Sequence, residues 1–390
     1  MNDATQRQLA DAYRDALLED TLPFWLQHGV DHKFGGVITS LDAAGNVIDT
    51  DKGVWQQCRF AWLLGELHNN LKADETWLRV AQRCMDFVDR NCFDPLDGRL
   101  WFQVTRTGEP LRKRRYAFSE SFAAIAYGEL AQATGDDLAA QKAERLFRRF
   151  LNHHLFSPEA KSKFTETRPM RSLGFPMIGI ATAQQLRDSI NYPGADDCID
   201  RLIDLIRRFH IREDLEVVLE NVGVDGQVLD HFDGRLLNPG HAIECSWFLM
   251  QEGQHRGDRD LQQLGCRMLD WMWQRGWDDD HGGLFSFVDL SGKPVSEYWH
   301  DMKFWWPHCE AVIATLMAYQ LTGDARYARW YRQVHDWAHD HFADPERGEW
   351  FGYLHHDGTV SSQLKGNLWK GPFHLPRMQL ICSQLLGDRR

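Results

Sequence analysis

The sequence predicts an all-α fold, an (α/α)6 barrel: six helical hairpins closed into a toroid, with short β-hairpins in the loops at one end. Three observations predict it. An Asp- and Gly-rich motif recurs along the chain, two helical patterns lie between consecutive copies, and the repeat divides the length about six times. From Gly36 to Gly98 is 62 residues and from Gly283 to Gly348 is 65, in a chain of 390. Internal periodicity of this size marks a repeat architecture. A ring buries its inner helices on all sides, which suits the many uniformly apolar helical patterns; a linear stack of helical hairpins is the alternative.

The elements follow in order. Residues 5–27 begin with an amphipathic helix, in which Leu9, Tyr13, Ala16, Leu17 and Leu22 fall near helical spacing. Asp31-His32-Lys33-Phe34-Gly35-Gly36, closed by Gly45, reads as strand, turn and strand. The same shape returns at Asp94-Pro95-Leu96-Asp97-Gly98, at Asp279-Asp280-His281-Gly282-Gly283 and at Asp344-Pro345-Glu346-Arg347-Gly348. Between copies lie helical patterns such as 54–69 with 74–92, and 306–322 with 327–342. Asp225-Gly226 and Asp233-Gly234 mark a further irregular loop, and 157–164 occupies the third hairpin position as a polar loop, a candidate lid. No linker or low-complexity tract divides the chain, so residues 1–390 are expected to form one catalytic domain.

Composition narrows the function. The net charge of −12 argues against a nucleic-acid partner. No apolar run of membrane-spanning length is present, and the N-terminus lacks the apolar core of a signal peptide. The 8 cysteines form no CxxC pair and read as reduced, buried side chains of a soluble cytoplasmic protein.

Four stretches carry polar groups at the starts of apolar helices. In Asn238-Pro239-Gly240-His241-Ala242-Ile243-Glu244, Pro and Gly break the chain and the helix begins at once, so His241 sits at a helix N-terminus. The positive field there disfavours an imidazolium and keeps the ring neutral, the form a general base needs. Glu244 follows on the same face. In Val54-Trp55-Gln56-Gln57-Cys58-Arg59, the arginine stands in an apolar helix and must meet a carboxylate or a substrate oxygen. Trp305-Trp306-Pro307-His308-Cys309-Glu310 places a glutamate able to orient a histidine or hold a hydroxyl, beside tryptophans that are either core or a stacking face. In Lys370-Gly371-Pro372-Phe373-His374-Leu375-Pro376-Arg377, His374 lies between two prolines and a helix is expected to begin beyond it.

A repeat barrel brings such helix starts to one rim, so His241 and His374 can face each other across the cavity. Two histidines on opposite faces suit removal of a proton beside a carbonyl and its return from the far side. The anionic intermediate needs positive charge, for which Arg59 and Arg377 are candidates. A metal site built from His241, His308, His374 and the two glutamates is the competing reading. No HExxH or CxxC is present, and no metal is expected. A glycosidase would use Glu244 and Glu310 and leave the histidines without a role.

These motifs resemble the N-acylglucosamine 2-epimerase family, which includes cellobiose 2-epimerases and some aldose–ketose isomerases. The resemblance covers nearly the whole chain and is densest at 54–62, 174–177, 219–226, 238–248, 303–311, 348–353 and 370–377. It implies an (α/α)6 barrel, with His241, His374, Arg59 and Glu310 as catalytic residues. It implies Trp55, Glu244, Trp306, His308, Arg377 and Met177 as substrate-binding residues. The turn Gly174-Phe175-Pro176-Met177 stands where the sugar isomerases and cellobiose epimerases carry a histidine and the N-acylglucosamine epimerases a Pro-Met, which favours an N-acetyl methyl over a bare hydroxyl. The implied reaction interconverts N-acetyl-D-glucosamine and N-acetyl-D-mannosamine through an enediolate, with an aldose–ketose isomerase, a mannose/glucose 2-epimerase and a non-catalytic sugar- or protein-binding member as alternatives. No cofactor is required, ATP is an activator of some members for which no site is assigned, and a homodimer is implied.

Overall fold

The computed structural model describes residues 3–114, 116–156 and 164–387. The loop read as a candidate lid lies, but for its last residue, outside the described residues. Among the described residues, twelve long helices form two concentric rings. The first, α1 (Asp3–Asp15), runs on through wider turns to Gly29. Then come α2 (Val54–Asn70), α3 (Glu75–Asn91), α4 (Phe118–Thr134), α5 (Asp137–Leu151), α6 (Gly174–Ile190) and α7 (Ala195–Leu205). They are followed by α8 (Pro239–Arg256), α9 (Arg259–Gly276), α10 (Trp305–Thr322), α11 (Ala325–Phe342) and α12 (His374–Gly387). Even-numbered helices form the inner ring and odd-numbered ones the outer; each inner helix packs on the outer helix that follows it. The exception closes the ring: α12 packs against α1, so the two ends of the chain supply one hairpin. The two rings, built of six helix pairs, make an (α/α)6 barrel.

The two rings differ in sequence as physics requires. In α10 every residue from Pro307 to Ala318 is buried. In α3 the buried set is a stripe, Trp77, Leu78, Ala81, Cys84, Met85 and Val88 prominent, with polar residues opposite. Inner-to-outer connections are tight because three of them share a Gly-Asp pair. Gly135, Gly257 and Gly323 end α4, α8 and α10 at φ near +70°, where a side chain would be strained. Asp136, Asp258 and Asp324 then accept backbone N–H groups as caps of α5, α9 and α11. All eight cysteines are buried free thiols.

The returning connections carry the hairpins and fringe the starts of the inner helices. Four of them share a device not foreseen from the sequence. Asp31, Asp94, Asp278 and Asp344 each open a tight loop, and one carboxylate oxygen accepts that loop's own backbone N–H. The other oxygen meets a lysine from the next hairpin strand: Lys52 at 3.0 Å, Lys113, Lys303 at 2.7 Å and Lys365 at 2.9 Å. Lys52, Lys303 and Lys365 are fully buried, so removing either partner would leave an uncompensated charge inside the protein. The irregular region after α7 contains a regular hairpin that the sequence reading passed over, Ile211–Arg212 paired with Val217–Val218. The loop at Asp225-Gly226 and Asp233-Gly234 follows it.

Candidate active site

A cavity of about 590 Å³ runs along the barrel axis. At the hairpin end its wall includes Trp55, Arg59, His241, Trp306, His374 and Arg377; at the far end it reaches Glu66, Glu129 and Asp188. Met177, in the first turn of α6, and Glu244 also line it. Inner-helix starts thus deliver most of the residues singled out in the sequence to one hollow.

His241 lies in the first turn of α8, whose cap is the Asn238 side chain accepting the His241 N–H. Its Nδ1 is 3.0 Å from Glu220 Oε2. A carboxylate can only accept, so Nδ1 carries the proton of this hydrogen bond, and in the neutral tautomer Nε2 is the acceptor nitrogen. His374 opens α12, one step earlier than expected, and its Nδ1 is 2.7 Å from Glu310 Oε1. The same tautomer follows. Burial, then the nearby Arg377 and Arg59 cations, holds the His374 pKa well below its usual value, so the ring is neutral at neutral pH. The two imidazoles flank one indole: Trp306 lies 5.2 Å from the His241 ring and 5.8 Å from the His374 ring, centroid to centroid.

Glu310 is held from three directions. Oε1 accepts from His374 and from Arg377 Nη2 at 2.6 Å, and Oε2 accepts from Trp247 Nε1 at 2.9 Å. Arg377 Nη2 also donates to Glu244 Oε1 at 2.5 Å. With both carboxylates serving this network, neither is placed as the proton donor of a glycosidase. Glu244, Glu310 and His374 hold donor atoms within 4.8 Å of one another, but the Arg377 cation already sits between the carboxylates. That arrangement suits an ion-pair network better than a metal.

Of the two partners expected for Arg59, a carboxylate or a substrate oxygen, the described residues supply no carboxylate. Arg59 makes no ion pair among the described residues; instead three rings enclose its guanidinium, Phe122 at 4.1 Å, Trp55 at 4.2 Å and Phe373 at 4.4 Å. Its Nε is buried without a partner. Burial, then repulsion from Arg377, lowers its pKa to about 9, and it remains a cation at neutral pH. The ring faces offset part of its desolvation and leave it available to an oxygen in the cavity.

His308 is a correction. It is buried on the far side of α10, with Nδ1 2.6 Å from the Phe304 carbonyl and Nε2 accepting the Leu284 N–H at 2.8 Å. It stacks on Trp337 of the outer ring at 4.9 Å. Residues 306 and 310 share a helix face, whereas 308 points the other way. Burial lowers its pKa to about 3, and both nitrogens are used, so it braces a hairpin and does not line the cavity.

Glu220 and Trp247 were missed as functional residues. The signal for Glu220 was a lone acid in the apolar run Val217-Val218-Leu219-Glu220-Asn221-Val222. Trp247 was read only as part of the apolar face of α8, and its partner Glu310 is 63 residues away.

A sequence model described as N-acylglucosamine 2-epimerase (GlcNAc 2-epimerase) matches residues 36–374. The N-acylglucosamine 2-epimerase of Bos taurus is 33% identical over 98% of this chain and 93% of its own length. The cellobiose 2-epimerase of Bacteroides fragilis is 23% identical over 94% of this chain and 96% of its own length. Among solved structures, the cellobiose 2-epimerase from Spirochaeta thermophila DSM 6192 superposes with a TM-score of 0.83 over 98% of each chain at 22% identity, a likeness of fold. No helix among the described residues is long and apolar enough to cross a membrane.

Proposed function

The chain belongs to the N-acylglucosamine 2-epimerase family, and on that premise we propose that it is a sugar 2-epimerase, a single catalytic domain interconverting N-acetyl-D-glucosamine and N-acetyl-D-mannosamine. The observation that carries this reading is the pair of imidazoles that both lie within 6 Å of the Trp306 ring at the cavity wall, each with Nδ1 turned to its own carboxylate. In the open-chain sugar, one Nε2 takes the C2 proton and the C2–H electron pair moves into an enediolate. The other ring, which has taken a proton from solvent onto Nε2 before this step, gives it to C2 from the opposite face, inverting that carbon. The first ring then releases its proton to solvent. Glu220 and Glu310 hold the rings in the reactive tautomer and stabilise each imidazolium as it forms. Arg59 faces the developing oxyanion, and the Glu244–Arg377–Glu310 network fixes the His374 side. Trp306 is the floor on which the sugar lies, Trp55 flanks it, and buried Met177 offers an apolar seat to the acetyl methyl. No step needs a cofactor or a metal.

Incubation with N-acetylmannosamine, N-acetylglucosamine, mannose and cellobiose in heavy water tests the reading. The N-acetylated pair should interconvert fastest, with deuterium entering at C2 of the product. A ketose product would replace epimerisation by isomerisation, and sugar binding without C2 exchange would leave a binding protein.

A further inference from the structure

The Asp–Lys loop device recurs, and two of its copies carry a third basic residue reaching over from the tip of the following hairpin. At the first copy this is Arg106, two residues before Gly108, with Nε 2.9 Å from Asp31 Oδ2 and its guanidinium 5.4 Å from the Phe34 ring. At the copy opened by Asp278 it is His356, two residues before Gly358, with Nε2 2.8 Å from Asp278 Oδ2. The position of Phe34, three residues beyond the aspartate, is taken by His281, whose ring lies 4.4 Å from that of His356. An aromatic and a permanent cation in one copy are thus two imidazoles in the other.

The second arrangement is not closed by hydrogen bonds. His356 Nε2 is close to the carboxylate but out of line for a hydrogen bond, and this buried atom has no partner among the described residues. His281 Nδ1 lies 3.8 Å from the same Asp278 oxygen. The three donor atoms fall within 4.8 Å of one another, and Asp301 Oδ2 lies 3.8 Å from the other nitrogen of His356. Ligands of a tetrahedral zinc ion at about 2.0–2.1 Å sit roughly 3.3 Å apart, between the 2.8 and 3.8 Å seen here.

The geometry points to a divalent transition-metal site formed by Asp278, His281 and His356, binding an ion such as Zn²⁺ between two adjacent hairpins, with Asp301 as the carboxylate that positions His356. Two imidazoles and one carboxylate are the donor set such ions favour over Ca²⁺ or Mg²⁺. Lys303 holds the same Asp278 oxygen at 2.7 Å. Its charge opposes the cation and weakens binding. Where Arg377 pairs with both carboxylates of the cavity cluster, however, Lys303 reaches only Asp278 and leaves both imidazoles to ligate the ion. The site stands apart from the central cavity. The hairpin it clamps pairs Phe304 with Tyr353, immediately before Trp305 and Trp306 enter the cavity wall.

Untagged protein stripped with a chelator, titrated with ZnCl₂ by calorimetry and with Co²⁺ by visible absorption, tests this. One ion per chain should bind, and His281→Ala or His356→Ala should weaken it by about 10- to 100-fold or more. Binding should survive His374→Ala, which removes a donor from the cluster in the cavity. Both histidines are at the surface, so the variants should fold, and a melting curve without metal checks it. No binding below about 1 mM, or unchanged affinity in the His281→Ala/His356→Ala double variant, would overturn the assignment.

Discussion

His374 and His241 flank the same indole, but their surroundings differ. The His374 side chain is 11% exposed and its carboxylate, Glu310, is fully buried on a neighbouring inner helix, clamped by Arg377 and Trp247. The His241 side chain is 33% exposed, and its carboxylate, Glu220, comes from the irregular segment between a hairpin and α8. One imidazole is built wholly from helix starts and is the less exposed; the other is held by a residue outside the helices. If both serve as bases, as proposed, equivalent chemical roles do not need equivalent scaffolding. On that reading the buried side ties catalysis to stability, while the more open side separates them.

The sharpest way to break this comparison is to remove each base. Either His374→Ala or His241→Ala should cut epimerisation by on the order of 10²–10⁴, read as kcat. Next in size are the two carboxylates. Glu310→Gln should cost up to about 10⁴ in kcat, as loss of a tautomer-fixing carboxylate does elsewhere. It should also cost about 3–5 kcal/mol of stability, because Arg377 is left half-paired. Glu220→Gln should lower kcat while costing less stability than Glu310→Gln, since Glu220 pairs with a histidine that is one-third exposed and Glu310 with a buried arginine. Equal stability losses in the two variants would erase the distinction.

A smaller effect sharpens the contrast between a buried histidine that reacts and one that only braces. His308→Phe should leave kcat within about twofold, yet lose about 1–3 kcal/mol for each of the Leu284 and Phe304 backbone groups it strands. The gentlest test is pH. Burial depresses the folded-state pKa of His308 to about 3, of His335 to about 3 and of His210 to about 4, against an ordinary 6.5. Below 6.5 the unfolded chain therefore binds protons that the folded chain does not, and stability should fall as pH drops from 6.5 towards 4. The slope of melting temperature against pH in that window should be shallower in His308→Phe.

The fold was legible because its repeat is printed in the spacing of Asp- and Gly-rich turns and in helices apolar on every face. His241, Glu244, Trp306, Glu310, His374 and Arg377 were legible because each lies within two turns of an inner-helix start, and the ring brings those starts together. What stayed hidden depends on contacts between elements. Glu220 reaches His241 from an irregular segment with no helical spacing to betray it. The cage around Arg59 draws its rings from α2, α4 and the approach to α12, so a carboxylate or a substrate oxygen was expected and the three aromatic faces were not. His308 was assigned to the cavity by its closeness in sequence to Trp306 and Glu310, although two residues along a helix is the opposite side. The Asp–Lys pairs escaped notice because their members stand some twenty residues apart, on separate limbs of each loop.

The most direct measurement follows deuterium in each single-histidine variant. With one base gone the other can still remove and return the C2 proton on its own face. His374→Ala and His241→Ala should therefore each exchange C2 of one N-acetylhexosamine epimer with heavy water, a different epimer for each variant, and form almost none of the other sugar. Exchange of the same epimer by both variants, or continued interconversion in either, would contradict the two-base account.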